Sequence, residues 1–339
     1  MAANTLGKRD VAARFSASVG ATALLEMLPQ RRRLLVLNYH RIGDPSQTPY
    51  DSGVFSTGVE GFDEQIGYLK RHFHMTDLEE ALEEKGKPSR GTSVLVTFDD
   101  GYLDNYQAAF PVLRSHGVRA AFFLPTAFVG TGDVPWWDAV AYIVKHSVHR
   151  KFTLQYPETS VYDLDREGRQ KAIDRILVAC KRNDVDTDRL IAELSRVCEC
   201  ARPAAGAERC FMDWNEAREM NTAGMAFGSH THTHPILAKL TPEDQYEELS
   251  RSREIMEREL GGPVRTLAYP VGLPSTFSDS TAEVAERAGY SAAFSFYGGT
   301  NEPGQFARFD IRRVAFADPT PERMRLQSAL MAVTGSYWF

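Results

Sequence analysis

The stretch Val94-Leu95-Val96-Thr97-Phe98-Asp99-Asp100-Gly101 decides the fold of this 339-residue chain. It begins as an apolar run rich in β-branched residues, which predicts a strand buried on both faces. Such strands belong to parallel sheets, and the carboxyl ends of those strands are where barrels and open α/β sheets carry their catalytic groups. Two carboxylates and a glycine stand at that end here. Taken alone, Asp-Asp-Gly is equally typical of a surface turn.

Comparable apolar runs recur along the chain, at residues 34–38, 120–124, 225–228, 266–269, 292–296 and 313–316. Helix-like stretches separate most of them, and this alternation predicts βα units around a mostly parallel sheet. The alternation breaks between about Trp136 and Cys210, where charged, helix-forming residues predict a helical insertion. We therefore expect an N-terminal helical extension over residues 1–33 and one α/β domain over residues 34–339, with the insertion at about 136–210.

Composition excludes several classes of protein. The chain has 39 Lys and Arg against 45 Asp and Glu, a net charge of −6, which argues against a nucleic-acid partner. Its four cysteines are too few for a disulfide scaffold. We find neither a run of ~18 apolar residues, as a transmembrane helix needs, nor a signal-peptide core. The expected location is the cytoplasm.

Residues 11–28 have the pattern of a small-residue amphipathic helix, and three arginines follow at positions 31–33. Such a helix either packs on the domain or lies on a membrane surface. Peripheral contact of residues 11–33 with the inner membrane surface therefore stays open. The oligomeric state is not indicated by the sequence.

A histidine cluster, Ser229-His230-Thr231-His232-Thr233-His234-Pro235, follows another predicted strand. His230 and His234 are four residues apart, so one helical turn would place both imidazoles on a common side. Two neutral imidazoles and one carboxylate suit Zn²⁺, and Co²⁺, Ni²⁺ or Fe²⁺ are also allowed. We predict a site for one divalent metal ion.

Together, three motifs resemble those of the polysaccharide deacetylases of carbohydrate esterase family four. They are Thr97 to Gly101, His230-Thr231-x-x-His234, and Leu267-Ala268-Tyr269-Pro270-Val271-Gly272. The resemblance covers roughly residues 34–316 without the insertion. It implies a distorted (β/α) barrel, a divalent metal, and a carbohydrate N-deacetylase acting on N-acetylated glycans.

Carried over by position, the resemblance assigns roles to individual residues. Asp100, His230 and His234 would hold the metal, and Asp99 would be the general base. The backbone amide of Val271 would stabilise the oxyanion. Apart from the resemblance, we expect substrate contacts from Tyr269, Tyr102 and Trp137, while helix packing stays open for the tryptophan and a helix-capping role for the segment of Tyr102.

The chain departs from the common pattern of that family in two places. Ala268 stands where an arginine usually orients the base, and Arg313 is a candidate replacement. No histidine follows His234, although the usual catalytic acid is a late histidine. His40, after the first predicted strand, offers an alternative, because poly-N-acetylglucosamine deacetylases have motifs that look circularly permuted. A strand-end hydrogen-bonding role for His40 stays open.

The leading hypothesis is metal-dependent removal of N-acetyl groups from an amino-sugar polysaccharide, oligosaccharide or lipid-linked precursor, in exopolysaccharide or cell-envelope synthesis. Two alternatives remain at this stage. One is hydrolysis of a small amide or cyclic ureide at the same metal centre. The other is a glycan-binding relative without activity, which the missing arginine and the displaced acid would suit.

Overall fold

A computed structural model describes residues 8–18, 20–83, 91–204, 209–302, 304–316 and 320–335. Within these residues the strands are β1 Arg33–Tyr39, β2 Arg41–Ile42, β3 Phe55–Thr57, β4 His74–Met75, β5 Thr92–Phe98, β6 Ala120–Leu124, β7 Lys151–Leu154, β8 Ser160–Asp163, β9 Ala226–Ser229, β10 Thr266–Ala268, β11 Ala292–Phe294 and β12 Arg313–Val314.

The α-helices of the same residues are α1 Lys8–Ser18, α2 Ala21–Met27, α3 Val59–His72, α4 Leu78–Glu83, α5 Phe110–His116, α6 Trp136–Lys145, α7 Leu164–Glu167, α8 Arg169–Cys180, α9 Thr187–Cys198, α10 Trp214–Thr222, α11 Pro242–Leu260, α12 Asp279–Arg287 and α13 Pro321–Thr334. Short 3₁₀ turns cover Pro45–Gln47, Ser52–Val54 and Leu237–Lys239, and a π-helical turn covers Asn105–Ala109.

Seven of the described strands form a parallel sheet in the order β11-β10-β9-β6-β5-β1-β12, and β4 pairs with β5 beside them. A parallel bridge between Phe294 and Ile311 joins the end of β11 to the segment entering β12. The sheet is therefore a nearly closed barrel, and the predicted distorted (β/α) barrel is confirmed. Closure places the carboxyl ends of β1, β5, β9 and β10 around one mouth.

The strands are apolar on both sides because each side faces a different core. In β1, Leu35 and Leu37 join a cluster that includes the helix α3 residues Phe62 and Ile66. The alternate positions of β1 join a second cluster, which contains residues from five barrel strands and fills the interior. This burial on both faces explains why the sequence of β5 contains a continuous apolar run.

The insertion has its own core and is not purely helical. Helices α6, α8 and α9 pack together, and their buried residues form a third cluster. Strands β7 and β8 form an antiparallel hairpin inside it, so the prediction of a helical insertion is wrong for residues 151–163. The hairpin was hard to detect because each strand has only four residues, alternating exposed and buried, among many charged neighbours.

The single helix expected over residues 11–28 is two helices, α1 and α2, with Gly20 in a left-handed conformation between them. Both pack against α13, and Glu26 is paired with Arg325 at 2.8 Å. Phe15 is 68% exposed and Met27 81% exposed. Contact of this segment with a membrane surface stays a prediction, as does a domain boundary at residue 33. No helix of the described residues is both long and apolar enough to span a bilayer.

Gly101 is required for the turn that ends β5. Its φ is +70°, and a Cβ atom there would lie 2.5 Å from Cδ2 of Leu124. Gly117, which ends α5, has a similar φ of +64° but open space around the same position.

Comparing the two alanine variants separates backbone strain from steric clash. We expect Gly117→Ala to lower the free energy of unfolding by about 1 kcal/mol, through the left-handed backbone alone. Gly101→Ala should cost about 2–4 kcal/mol, because overpacking adds to that strain. Urea unfolding of both variants measures the difference, and equal losses would contradict the steric account.

Candidate active site

Two adjacent carboxylates stand at the carboxyl end of β5. The backbone N–H of Asp99 donates to the carbonyl of Tyr39 at 2.9 Å, which continues the pairing with β1. Asp100 and Gly101 then both have positive φ, 71° and 70°. This turn separates the two side chains, so that Asp99 and Asp100 have different partners.

Asp99 is held by a buried ion pair with Arg313. Nη1 of Arg313 lies 2.7 Å from Oδ1 of Asp99, and Nη2 lies 2.8 Å from Oδ2. Asn38 of β1 also donates to Oδ2, at 2.9 Å. Burial alone would raise the pKa of Asp99, but the Arg313 guanidinium outweighs it and holds the pKa well below its usual range. Asp99 is therefore ionised and oriented.

Arg313 has the geometry to replace the arginine missing at Ala268. It is fully buried, its Nε donates to the carbonyl of Ser295 at 3.0 Å, and the Phe123 and Phe296 rings lie on it at 5.5 and 5.7 Å. Bidentate pairing of this kind fixes the plane of a carboxylate as well as its charge. A role in orienting the base remains a proposal.

Asp100 faces two histidines. Its Oδ1 lies 3.6 Å from Nε2 of His230 and 3.5 Å from Nε2 of His234, and the two Nε2 atoms are 3.2 Å apart. All three side chains are buried. In the described part of the chain, this is the one grouping of His, Cys, Asp or Glu side chains found with the geometry to hold a metal ion.

The electrostatics of this grouping fit a divalent cation. Nδ1 of His230 lies 2.8 Å from the carbonyl of Ala268 and donates to it, which leaves the Nε2 lone pair directed at the other ligands. Burial lowers the pKa of His230, and burial and His230 lower that of His234, so both imidazoles are neutral. Burial and the Asp99 charge raise the pKa of Asp100 well above its usual range. A bound cation would favour the ionised form of Asp100 and the neutral forms of His230 and His234 together.

The two histidines do not lie on a helical turn, so that expectation was wrong. The segment after β9 is a loop in which Thr231 and His234 have positive φ, 68° and 60°. Oγ1 of Thr231 accepts from the N–H of His234 at 3.0 Å. Glu248 of α11 accepts from the N–H groups of His232 and Thr233 at 2.9 and 2.8 Å. The loop is therefore shaped by side-chain acceptors, which spacing alone does not reveal.

Backbone strain is concentrated at this mouth. Five non-glycine residues of the described chain have positive φ, and four of them are Asp100, Thr231, His234 and Val271. Each such conformation costs roughly 1–3 kcal/mol and persists only where the surroundings enforce it. The clustering marks this end of the barrel as the functional end.

Val271 lies in a tight turn after β10, with φ of 65°. A Cβ atom on the next residue, Gly272, would lie 2.6 Å from the backbone N of Phe296, whose N–H donates to the Gly272 carbonyl at 2.7 Å. The turn is thus fixed against the chain after β11. Its use as an oxyanion donor stays a prediction.

His40 follows β1 and is half-buried. Its N–H donates to Oγ of Ser56 at 3.0 Å, its carbonyl accepts from Asn105 at 2.6 Å, and its ring centroid lies 5.9 Å from that of Phe296. Burial lowers the pKa of His40 to about 4, against the opposing effect of Asp99. The imidazole is neutral at pH 7, and its role as an acid stays a prediction.

Of the three further predicted residues, Trp137 contacts a proposed ligand and Tyr102 contacts Trp137. The Trp137 ring packs on His234 at 4.3 Å, and its Nε1 donates to the Tyr102 hydroxyl at 2.7 Å. That hydroxyl donates in turn to Asp138 at 2.9 Å. Tyr102 and Tyr269 are 0% and 1% exposed, and Tyr269 donates to the carbonyl of residue 309. The Trp137 and Tyr102 contacts thus lie behind His234, whereas Tyr269 packs on Phe277. Contact of any of the three with a glycan stays a prediction.

Sequence reasoning missed three supporting residues: Asn38, Asp138 and Glu248. Asn38 carried a usable signal, since it is a polar residue inside an apolar strand run. Asp138 and Glu248 lie within helical stretches, where an acidic residue is ordinary. Nothing local distinguished them.

A family model described as polysaccharide deacetylase matches residues 86–293. The chain belongs to the polysaccharide deacetylase family. The resemblance drawn from the three motifs is thereby confirmed, and the enzyme class predicted from it, a carbohydrate N-deacetylase, agrees with the family. The matched range contains Asp99, Asp100, His230 and His234. It leaves out β1 with His40 and β12 with Arg313.

Known proteins extend the likeness beyond that range. YxkH of Bacillus subtilis (strain 168), whose name assigns it to the polysaccharide deacetylases, is 24% identical over 227 residues, 67% of this chain. The chain spans about half of that relative, 50% of its length. The deacetylase PplD of Streptococcus pyogenes, solved in complex with acetate, has a TM-score of 0.56 at 18% identity, covering 88% of this chain and 98% of PplD. IcaB from Ammonifex degensii has a TM-score of 0.54 at 22% identity, covering 89% and 98%. These two structures share the fold over most of this chain.

The wall behind His234 gives a prediction about pH. Burial raises the pKa of Asp138 from 3.8 to about 6, so the folded protein keeps this proton to higher pH than the unfolded chain does. Stability from Asp138 is therefore present below pH 4 and is lost as pH rises from 4 to 6, by about 3 kcal/mol. Asp138→Asn does not titrate. The difference in unfolding free energy between wild type and this variant should change by about that amount between pH 4 and pH 7, whereas parallel curves would contradict the burial argument.

Proposed function

We propose that this protein removes N-acetyl groups from an amino-sugar polysaccharide, oligosaccharide or lipid-linked precursor, in exopolysaccharide or cell-envelope synthesis. The observation that carries the proposal is the division of labour at the end of β5. Asp99 is kept ionised by Arg313, and beside it Asp100 converges with two neutral imidazoles. A general base beside a metal site is an arrangement suited to hydrolysis of an acetamide by activated water.

Asp100, His230 and His234 would hold one divalent ion, with Zn²⁺ the best match to one carboxylate and two imidazoles. When bound, such an ion supplies Lewis acidity, which polarises a carbonyl and makes water more acidic. The three protein ligands leave a coordination position for a small molecule. Because both imidazoles are already neutral, they need not release protons before they bind the metal ion.

The protein's own groups would then perform the proton transfers. Asp99 accepts a proton from water as the water oxygen attacks the acetamide carbon, and the N–H of Val271 donates to the carbonyl oxygen as it gains charge. The C–N bond breaks, acetate leaves, and His40 protonates the amine nitrogen. A neutral imidazole gives up a proton readily only after gaining one, so His40 would first receive the proton that Asp99 took from water.

The direct test is acetate release from N-acetylglucosamine oligomers by the purified protein. We expect release to stop with chelator, to return with Zn²⁺ or Co²⁺, and to fall by about 10²-fold or more in Asp99→Asn. Asp133→Asn, at an exposed position of the loop before α6, is the matched control and should behave as wild type.

Other outcomes would replace the proposal. Release from small amides or cyclic ureides but from no oligomer would indicate a small-amide hydrolase. Oligomer binding without release under any supplied metal would indicate a glycan-binding protein without activity.

A further inference from the structure

The insertion does not stand apart from the mouth of the barrel. Its segment 180–187, between α8 and α9, is fixed by Lys239, which lies five residues after His234. The Lys239 ammonium donates to the carbonyls of Cys180 and Val185 at 2.7 and 2.9 Å, and to Oγ1 of Thr187 at 3.3 Å. The half-buried Lys239 thus ties both ends of segment 180–187 to the loop that follows β9.

A second contact ties the same segment to the loop that follows β10. Nδ2 of Asn183 donates to the carbonyl of Ser275 at 3.1 Å, and Ser275 lies four residues after Val271. The N–H of Ala238 donates to the carbonyl of Thr276 at 3.1 Å, so the two barrel loops are also joined to each other. Segment 180–187 is therefore hydrogen-bonded to the loops that follow β9 and β10, which carry His234 and Val271, and we call these three segments the rim.

This segment brings a positive charge to the rim. Lys181 is half-buried, and no carboxylate of the described residues lies within ion-pair distance of it. Its neighbour Arg182 differs, because Asp184 and Glu158 neutralise it at 2.7 and 2.8 Å. Among the described residues, Lys181 is thus a cation without a counter-ion.

The positive charge of Lys181 affects the pKa values of His40 and Asp100. Burial lowers the pKa of His40, and the Lys181 ammonium acts in the same direction. Burial and neighbouring carboxylates raise the pKa of Asp100, and Lys181 opposes them. A neutral N-acetylated sugar offers this cation hydrogen-bond acceptors but no opposite charge, whereas an acidic group supplies both.

We propose that Lys181 binds an anionic group, a carboxylate or a phosphate, on the same molecule as the acetamide, so that the preferred substrate is an acidic N-acetylated glycan. This inference rests on the proposed deacetylation and narrows its substrate class. It also assigns a role to the insertion, which supplies the rim residue that selects for charge.

The experiment compares kcat/KM for three N-acetylglucosamine oligomers of equal length: neutral, carrying one carboxylate, and carrying a terminal phosphate. Wild type should prefer an anionic oligomer by about tenfold at low salt, with the preference shrinking as salt is added. Lys181→Gln should abolish the preference, Lys181→Glu should reverse it, and Lys181→Arg should restore most of it. Lys171→Gln removes an exposed charge from α8, the helix that precedes Lys181, and should leave the preference unchanged. The favoured anionic oligomer identifies the group.

Equal preference in wild type and Lys181→Gln would overturn the inference while leaving deacetylation intact. If no oligomer releases acetate, the proposed function fails separately, and calorimetric binding of the same three oligomers decides the charge question. Tighter binding of an anionic oligomer that depends on Lys181 would still support the inference. Equal affinity for the neutral and the anionic oligomers would overturn the inference.

Discussion

One buried ion pair, between Arg313 and Asp99, joins the strand that closes the barrel to the candidate active site. Strand β12 has two residues and completes the barrel by pairing with β1, and its arginine reaches across the interior to the end of β5. Burying two charges is costly and is repaid only when the pairing is complete. Here both oxygens of Asp99 have an arginine partner, and Asn38 adds a third bond. Barrel closure and ionisation of Asp99 are therefore coupled.

That constraint makes two adjacent aspartates chemically different. Asp99 uses the available guanidinium, so Asp100 is left buried among neutral imidazoles with a raised pKa. Environments that drive the pKa values of neighbouring groups apart are how one fold assigns them separate roles. The residues with positive φ, Thr231, His234 and Val271, lie in the loops that follow the neighbouring strands β9 and β10.

The sequence predicted what is local and failed where distant parts of the chain meet. The strand that ends in Asp99 and Asp100 could be read directly, because its apolar run and its polar end are contiguous. Arg313 could only be a candidate, since 214 residues separate it from its partner. The helical turn expected at His230 and His234 failed because Glu248, on another element, shapes that loop. The hairpin within the insertion was too short to give a pattern.

We propose that Asp100 is a metal ligand and that Asp99 is not. Zinc titration of the two asparagine variants tests this assignment most directly. After removal of metal with a chelator, each protein is titrated with Zn²⁺ and its stoichiometry and affinity are measured. We expect Asp99→Asn still to bind one Zn²⁺ ion, whereas Asp100→Asn should lose tight Zn²⁺ binding. Loss of binding in Asp99→Asn with retention in Asp100→Asn, or no binding by wild type, would contradict it.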